Sequence, residues 1–287
     1  MPPSPGLLEC IERYFAAAPL PDARTETAGA VDVPVGTPAW PHPARPRPGE
    51  AVTADDVRAA VALQRRAGLP VALEWVDECS PTAAAAVRAA GLAVRESPLL
   101  VAADPVDLLL PHGVRLYLVG ADDPRLPRYE RLASIAFAHP GPRSKVGGTT
   151  VGTAVDSART AVLRERIASG RTVLMVAVED GEPVAVGSHN PVDVGGGEVS
   201  EIVGVATLPR LRGRGLGAGL ASALTAHARE SADLVFLVAG DDDVARVYER
   251  VGFARLATVG DAELPDDAIG LPDDAAGELP VGGRGPS

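Results

Sequence analysis

A glycine-rich stretch is the part of the sequence best suited to hold an anion. It reads LPRLRGRGLGAGLASAL over residues 208–224, between a predicted strand and the apolar spacing of a helix. Glycines at such a junction leave backbone N–H groups uncovered by Cβ atoms, and the start of a helix carries partial positive charge. We therefore predict a phosphate-binding nest, with charge-assisted hydrogen bonds from Arg210, Arg212 and Arg214.

Two other phosphate-binding motifs fit this stretch less well. Gly213, Gly215 and Ala218 satisfy the G-x-G-x-x-A pattern of dinucleotide-binding folds, and Asp233 lies near the place of their ribose-binding acid. Residues 209–212, however, separate those glycines from the strand, and no further parallel strand-helix series follows. A Walker A loop is excluded because no Lys-Ser or Lys-Thr pair follows the glycines.

Charge and composition argue against several classes of binding partner, namely nucleic acids, membranes and metal ions. The formal net charge is -11 and the pI is about 5.0, so the long-range field repels nucleic acid and anionic lipid. The start of the sequence has no basic leader, and no run of about 18 apolar residues occurs, so we expect a cytoplasmic protein without a membrane partner. Cys10 and Cys79 are expected to be free thiols, and no metal site is predicted.

Hydrophobic periodicity predicts an α/β (α+β) protein with a mixed central β-sheet flanked by helices. The residues are 46% hydrophobic but only 3% aromatic, so the cores must be built mainly from Ala, Val and Leu. The proline-dense residues 31–50 are expected to interrupt strand pairing. Helices are predicted over 7–18, 53–68, 80–91, 124–138, 157–170, 216–230 and 241–253, and strands over 69–76, 92–102, 114–120, 172–188 with a turn at Asp180 and Gly181, 198–208, 234–239 and 254–260.

An internal repeat is visible in the order strand, turn, helix, glycine, strand. It aligns Gly91 with Gly252 and Val87 with Tyr248, which indicates a duplication whose first copy lacks the arginine-glycine loop. The expected division is an incomplete N-terminal unit over 1–112, a complete unit over 113–262, and a disordered acidic tail over 263–287.

At this point the sequence resembles the GNAT superfamily of acyl-CoA-dependent N-acyltransferases. Arg212, Gly215 and Gly217 match its R/Q-x-x-G-x-G/A signature, preceded by the strand EIVGVATLP and followed by VARVYERVGF, which is similar to its closing helix-strand motif. The resemblance covers residues 113–262 and implies a GNAT-like mixed sheet, duplicated with a degenerate N-terminal copy. It also implies acetyl-CoA as the acyl donor and an amine as the acceptor.

The resemblance further implies which residues hold acetyl-CoA. The pantetheine arm would pair with the end of the preceding strand, at Val205, Ala206 and Thr207. The pyrophosphate would be held by the loop residues Arg212, Gly213, Arg214, Gly215, Leu216, Gly217 and Ala218.

Glu201 and Tyr248 are the candidate catalytic residues. The resemblance implies that Glu201 is a general base and that Tyr248 points its hydroxyl at the CoA sulfur as a general acid. Glu201 alternates with valines on its strand, which would raise its pKa, although a solvated charge fits the same pattern. Tyr248 also fits an apolar helical stripe, where a tyrosine is usually a core residue.

The sequence also predicts roles for two residues near these candidates. Asp241 departs from the asparagine that is common in the family, and we expect it to cap a helix. His189 is either a residue of the acceptor pocket or a hydrogen-bonded structural histidine.

The predicted reaction is direct attack of the amine on the thioester in a ternary complex, since no Ser/Cys–His pairing at nucleophilic spacing occurs. Two alternatives stay open. Asp241 and the degenerate first unit also suit a catalytically silent acyl-CoA-binding sensor or scaffold, and the duplicated layout suits a tandem acyltransferase resembling mycothiol synthase. The sequence does not predict the acceptor or the oligomeric state, and residues 141–153 are expected to form a lid over the site.

Overall fold

The structure is a computed structural model that describes residues 5–139 and 156–264. The predicted lid at 141–153 and residues 265–287 of the predicted tail lie outside these ranges. The helices of the described residues are α1 (Pro5–Ala17), α2 (Ala54–Arg66), α3 (Ala83–Ala89), α4 (Leu126–Ala138), α5 (Ser157–Ala168), α6 (Leu216–Ala228) and α7 (Asp242–Glu249). The strands are β1 (Ala23–Ala28), β2 (Val31–Gly36), β3 (Arg45–Pro46), β4 (Ala72–Val76), β5 (Arg95–Ala102), β6 (Val114–Leu118), β7 (Val173–Glu179), β8 (Glu182–Asp193), β9 (Glu198–Thr207), β10 (Leu234–Val238) and β11 (Phe253–Glu263).

An eight-stranded mixed sheet dominates the fold, in the order β4-β11-β5-β10-β9-β8-β7-β6. The β9–β10 pair is parallel, and the other neighbouring pairs are antiparallel. Helices cover both faces. On one face α6 packs through Leu216, Leu220 and Leu224, whereas α1 and α4 pack on the other. The predicted fold class, a mixed sheet flanked by helices, is confirmed.

The N-terminal half also forms a small sheet that the sequence does not indicate. Strands β1, β2 and β3 pair in that order, with Pro34 inside β2, although the proline-dense segment was expected to interrupt pairing. Pro34 is tolerated because β3 covers only Val31 and Asp32, so β2 has a neighbour on one side only at that point. Helix α2 begins with a capping box between Thr53 and Asp56.

The two halves of the chain share the main sheet, because β4 and β5 of the N-terminal half flank β11. The sequence repeat equates β4 with β10 and β5 with β11. With these equivalences, the strand order β4-β11-β5-β10 reads the same from either end, as expected for two copies related by a two-fold symmetry. The alignment of Gly91 with Gly252 also equates Ser97 with Thr258. Ser97 and Thr258 lie at adjacent rungs at the centre of the β5–β11 pairing. This symmetry supports a duplication, which stays a proposal together with the division at residue 112.

Candidate functional site

Strands β9 and β10 separate in the middle of the sheet. Their pairing runs from Leu234 opposite Val199 to Phe236 opposite Glu201. Strand β9 continues to Thr207, still paired with β8, but within the described residues its other edge has no strand partner beyond Glu201. The backbone of residues 202–207 therefore lines an open gap that can accept hydrogen bonds from, or donate them to, an extended ligand.

A β-bulge shapes this edge of the gap. Gly204 adopts a positive φ of 65°, where the register of β8 and β9 shifts between the rung of Val203 and that of Ala206. A bulge turns the following residues relative to the sheet. Val205 packs with the core around α6, whereas the neighbouring Ala206 packs on the opposite face. The predicted pantetheine-binding residues Val205, Ala206 and Thr207 all lie on the open edge.

The glycine-rich loop joins this edge to the start of α6. A short 3-10 turn at Pro209–Leu211 leads into it, and Gly213 and Gly215 have positive φ values of 78° and 84°. Gly215 is the N-cap residue of α6, and no side chain of the described residues caps the helix there. The first-turn N–H groups of Leu216, Gly217 and Ala218 therefore point away from the helix at the mouth of the gap. This geometry suits an anion.

Two of the three loop arginines bind protein acceptors in this structure. The Arg212 guanidinium donates hydrogen bonds of 2.6 Å to the backbone carbonyls of His139 and Ala136, at the end of α4. Arg214 forms a two-pronged ion pair with Glu179, at 2.6 and 2.9 Å, which lowers the pKa of that carboxyl. Arg210 is exposed. Backbone amides are therefore the main anion-binding groups of the loop as it stands.

Glu201 lies where the gap opens, on the face covered by α1. Burial raises the pKa of its carboxyl to about 7, although Arg45 and a hydrogen bond from Tyr14 act in the opposite direction. A carboxyl with a pKa near 7 can take and release a proton under physiological conditions. The predicted rise in its pKa has a physical basis in this structure, and its role as a base stays a prediction.

Tyr248 lies on α7, on the opposite face of the sheet. Its ring meets that of Phe253 edge to face, with 6.0 Å between centroids, and packs against the core around α6. Burial raises the pKa of the hydroxyl to about 12, so the phenol is protonated over the physiological range. A protonated hydroxyl suits a hydrogen-bond or proton donor. Gly252, two residues beyond the C-cap Arg250 of α7, has a positive φ of 92° before β11 begins.

Two neighbouring residues have structural partners. Asp241 caps α7 by accepting a hydrogen bond of 2.7 Å from the Val244 N–H, as predicted. His189 is buried on the α6 face, with Nδ1 2.8 Å from Ser200 Oγ and Nε2 3.0 Å from His227 Nδ1. These contacts favour the hydrogen-bonded structural interpretation of His189 over a place in the acceptor pocket.

The family model described as "Acetyltransferase (GNAT) family" matches residues 151–253, which contain the gap, the loop and both catalytic candidates. This part of the chain belongs to the GNAT acetyltransferase family. Solved structures similar to the whole chain share its fold. A GCN5-related N-acetyltransferase from Kribbella flavida has a TM-score of 0.67 and 22% identity, over 90% of this chain and 96% of that one.

Two further structures are similar at lower scores. A putative GNAT-family acetyltransferase from Novosphingobium aromaticivorans has a TM-score of 0.53 and 18% identity, over 87% of this chain and 93% of that one. A conserved protein of unknown function from Staphylococcus epidermidis has a TM-score of 0.55 and 14% identity, over 84% of this chain and 93% of that one. No match was found among curated proteins. The likeness in fold thus includes the N-terminal half, outside the family model.

The described residues contain no candidate membrane span and no candidate metal-binding cluster. No helix within 5–139 and 156–264 combines the length and apolar character needed to cross a bilayer. In the same ranges no cluster of three or more His, Cys, Asp or Glu side chains is arranged to hold a metal ion.

Two residues beside the GNAT domain's Glu201 were missed by the sequence reasoning. Tyr14 on α1 and Arg45 on β3 both act on the Glu201 carboxyl. The amphipathic spacing of residues 7–18 predicts the helix that carries Tyr14, but no local pattern indicates which strand that helix covers. Arg45 lies in the proline-dense segment, where the sequence predicts no element.

Proposed function

We propose that the protein is an N-acetyltransferase that moves an acetyl group from acetyl-CoA to an amine. The observation that carries the proposal is the gap between β9 and β10, with Glu201 at its origin and the uncapped start of α6 at its mouth. An extended thioester with a pyrophosphate at one end fits such a gap. Membership of residues 151–253 in the GNAT family supports acyl transfer as the reaction class.

The proposed binding mode uses backbone groups almost throughout. The pantetheine amides pair with the open edge of β9 at Val205, Ala206 and Thr207. The pyrophosphate accepts hydrogen bonds from the loop residues Arg212, Gly213, Arg214, Gly215, Leu216, Gly217 and Ala218. The -11 net charge of the chain makes such local donors necessary, because the long-range field repels a polyanion.

The proposed chemistry uses Glu201 and Tyr248 on opposite faces of the sheet. Glu201 takes a proton from the acceptor ammonium, and the free amine attacks the thioester carbonyl carbon. The C–N bond forms, the C–S bond breaks, and the electron pair of that bond leaves on sulfur. Tyr248 donates a hydrogen bond to the departing sulfur and passes it the second proton that the nitrogen loses. The acetyl group needs no covalent attachment to the protein, and a cytoplasmic location stays a prediction.

Release of free CoA over a panel of amines tests the proposal. We expect turnover with at least one amine and a loss of about 10²-fold or more in kcat for Glu201→Gln and for Tyr248→Phe. Tyr117→Phe, on the exposed edge strand β6, is the control for tyrosine removal. Tight binding of acetyl-CoA in calorimetry without turnover on any amine would favour a silent acyl-CoA sensor. Absence of binding would refute the site itself.

A further inference from the structure

We propose that Tyr14 and Arg45, from the N-terminal half of the chain, are positioning residues for the Glu201 carboxyl. The transferase site is then complete only when both halves of the chain are present. The inference rests on the proposed function for the role of Glu201, but it concerns residues outside the family-matched range 151–253.

Tyr14 is held against the rung of the sheet that contains Glu201. Its side chain is only 2% exposed, and its ring meets that of Phe236 edge to face at 5.0 Å. Glu201 on β9 pairs with Phe236 on β10 and with Asn190 on β8. The Tyr14 hydroxyl donates to the Asn190 carbonyl at 3.2 Å and also lies within hydrogen-bonding reach of the Glu201 carboxyl.

This arrangement gives one phenolic proton two acceptors. When Glu201 is ionised, a hydrogen bond from Tyr14 stabilises the carboxylate. When Glu201 is protonated, the hydroxyl can donate to the Asn190 carbonyl instead. Tyr14 therefore supports both protonation states without leaving a buried hydroxyl unpaired, which suits a group that cycles between them.

Arg45 is fixed beside the same carboxyl by the backbone of the N-terminal half. The preceding residue, Ala44, forms a β-bridge to the edge strand β4. The Ala44 N–H donates a hydrogen bond of 2.9 Å to the Ala72 carbonyl, and the Ala44 carbonyl accepts one of 3.0 Å from the Glu74 N–H. The guanidinium lies over the Phe15 ring, 3.4 Å from its centroid, and one of its nitrogens forms an ion pair with Glu74. Its Nη1 is buried and has no acceptor among the described residues.

The charges around Glu201 come from several elements. Arg45 on β3 is the opposite charge that acts on it directly, while Glu12 on α1 and Glu74 on β4 also face that guanidinium. Arg166 on α5 acts on the Tyr14 hydroxyl. Burial lowers the pKa of Arg45 to about 10, so it stays charged at neutral pH. A permanent positive charge beside a desolvated carboxyl keeps its ionised form accessible.

Carbon-13 NMR of δ-labelled glutamate in the full-length protein tests the inference without needing turnover. The Glu201 signal is assigned by its loss in Glu201→Gln and followed from pH 4 to 10. We expect Arg45→Met to raise the titration midpoint by about 1 pH unit or more, Tyr14→Phe to raise it less, and Arg45→Lys to keep it near that of the wild type. The control Arg58→Met removes an exposed arginine of α2 and should leave the midpoint unchanged.

A pH–rate profile then connects the titration to catalysis. With the midpoint raised from about 7 to about 8, the ionised fraction at pH 7 and kcat/KM fall about fivefold for Arg45→Met, and both recover by pH 9. The KM for acetyl-CoA should not change. A merely structural role of Arg45 would lower activity equally at all pH values.

The outcomes separate the two proposals. An unchanged Glu201 midpoint in a folded Arg45→Met variant overturns the inference, even if the protein is an active transferase. A raised midpoint in a protein that acetylates no amine supports the placement of Tyr14 and Arg45 and overturns the proposed function alone. If Arg45→Met does not fold, Tyr14→Phe decides: a raised Glu201 midpoint supports the inference, and a midpoint at the wild-type value overturns it.

Discussion

Two buried groups are expected to oppose each other in the pH dependence of stability. Burial and the neighbouring His227 lower the pKa of His189 from 6.5 to about 4. Burial raises the pKa of Glu201 from 4.5 to about 7. Unfolding therefore lets His189 bind a proton and lets Glu201 release one, in the same window between pH 4 and pH 7.

The magnitudes follow from these pKa values. On acidification from pH 7.5 to pH 5, His189 becomes protonated in the unfolded chain but not in the folded protein. This difference lowers the free energy of unfolding by about 2 kcal/mol. Over the same interval Glu201 becomes protonated in the folded protein but stays mostly ionised in the unfolded chain. This difference raises the free energy of unfolding by about 2 kcal/mol. The two contributions nearly cancel in the wild type. Glu201→Gln should therefore lose about 2 kcal/mol on acidification, whereas His189→Gln should gain a similar amount.

Urea unfolding at several pH values between 5 and 7.5, at constant ionic strength, measures these slopes. His42, whose pKa burial also lowers, titrates in every variant and drops out of the comparison. The double variant should have the same pH dependence of stability as the wild type, because it lacks both opposing groups. Parallel curves for Glu201→Gln and His189→Gln would refute the reasoning, because they would mean that neither group titrates differently on folding.

Three further predictions concern single positions. Gly252→Ala should destabilise the protein by about 3 kcal/mol or more in thermal unfolding, because a Cβ there would lie 1.8 Å from a backbone oxygen at a φ of 92°. The control Gly91→Ala, at a φ of 89° with open space around it, should cost only about 1 kcal/mol. Equal losses of stability in the two variants would contradict this account. Arg212→Ala should weaken acetyl-CoA binding several-fold in calorimetry, because the loop loses its tie to α4, and an unchanged Kd would show that the tie is dispensable. Burial raises the pKa of the Cys79 thiol to about 12. The folded Cys10→Ser variant should therefore react with iodoacetamide at pH 8 much more slowly than the same variant unfolded in urea. Equal reaction rates in the two states would argue against that burial.

The parts of the site that depend on local sequence could be predicted, and those that depend on strand order could not. The loop at Gly213 and Gly215, the start of α6 and the Asp241 cap follow from residue type and spacing within a few positions. Tyr14 lies 187 positions before Glu201 in the chain. Hydrophobic periodicity tells which face of α1 is buried, but it carries no information about the strand that the face will cover.

The same limit applies to the fold as a whole. Residues 92–102 predict a strand correctly, and the hairpin turn at Asp180 and Gly181 fixes the pairing of β7 with β8. Nothing local to β5 indicates that it will lie between β10 and β11. Pro34 gave a misleading signal for a similar reason, since whether a proline is tolerated in a strand depends on the length of the neighbouring strand.

The position of β5 between β10 and β11 has a consequence for how the polypeptide acquires its shape. Strand β11 is the last described element, yet it forms hydrogen-bonded ladders with β4 and β5, which leave the ribosome far earlier. The edges of β4 and β5 must therefore stay unpaired until β11 has been synthesised. Such long-range closure makes slow folding and a need for chaperones during synthesis the natural expectation.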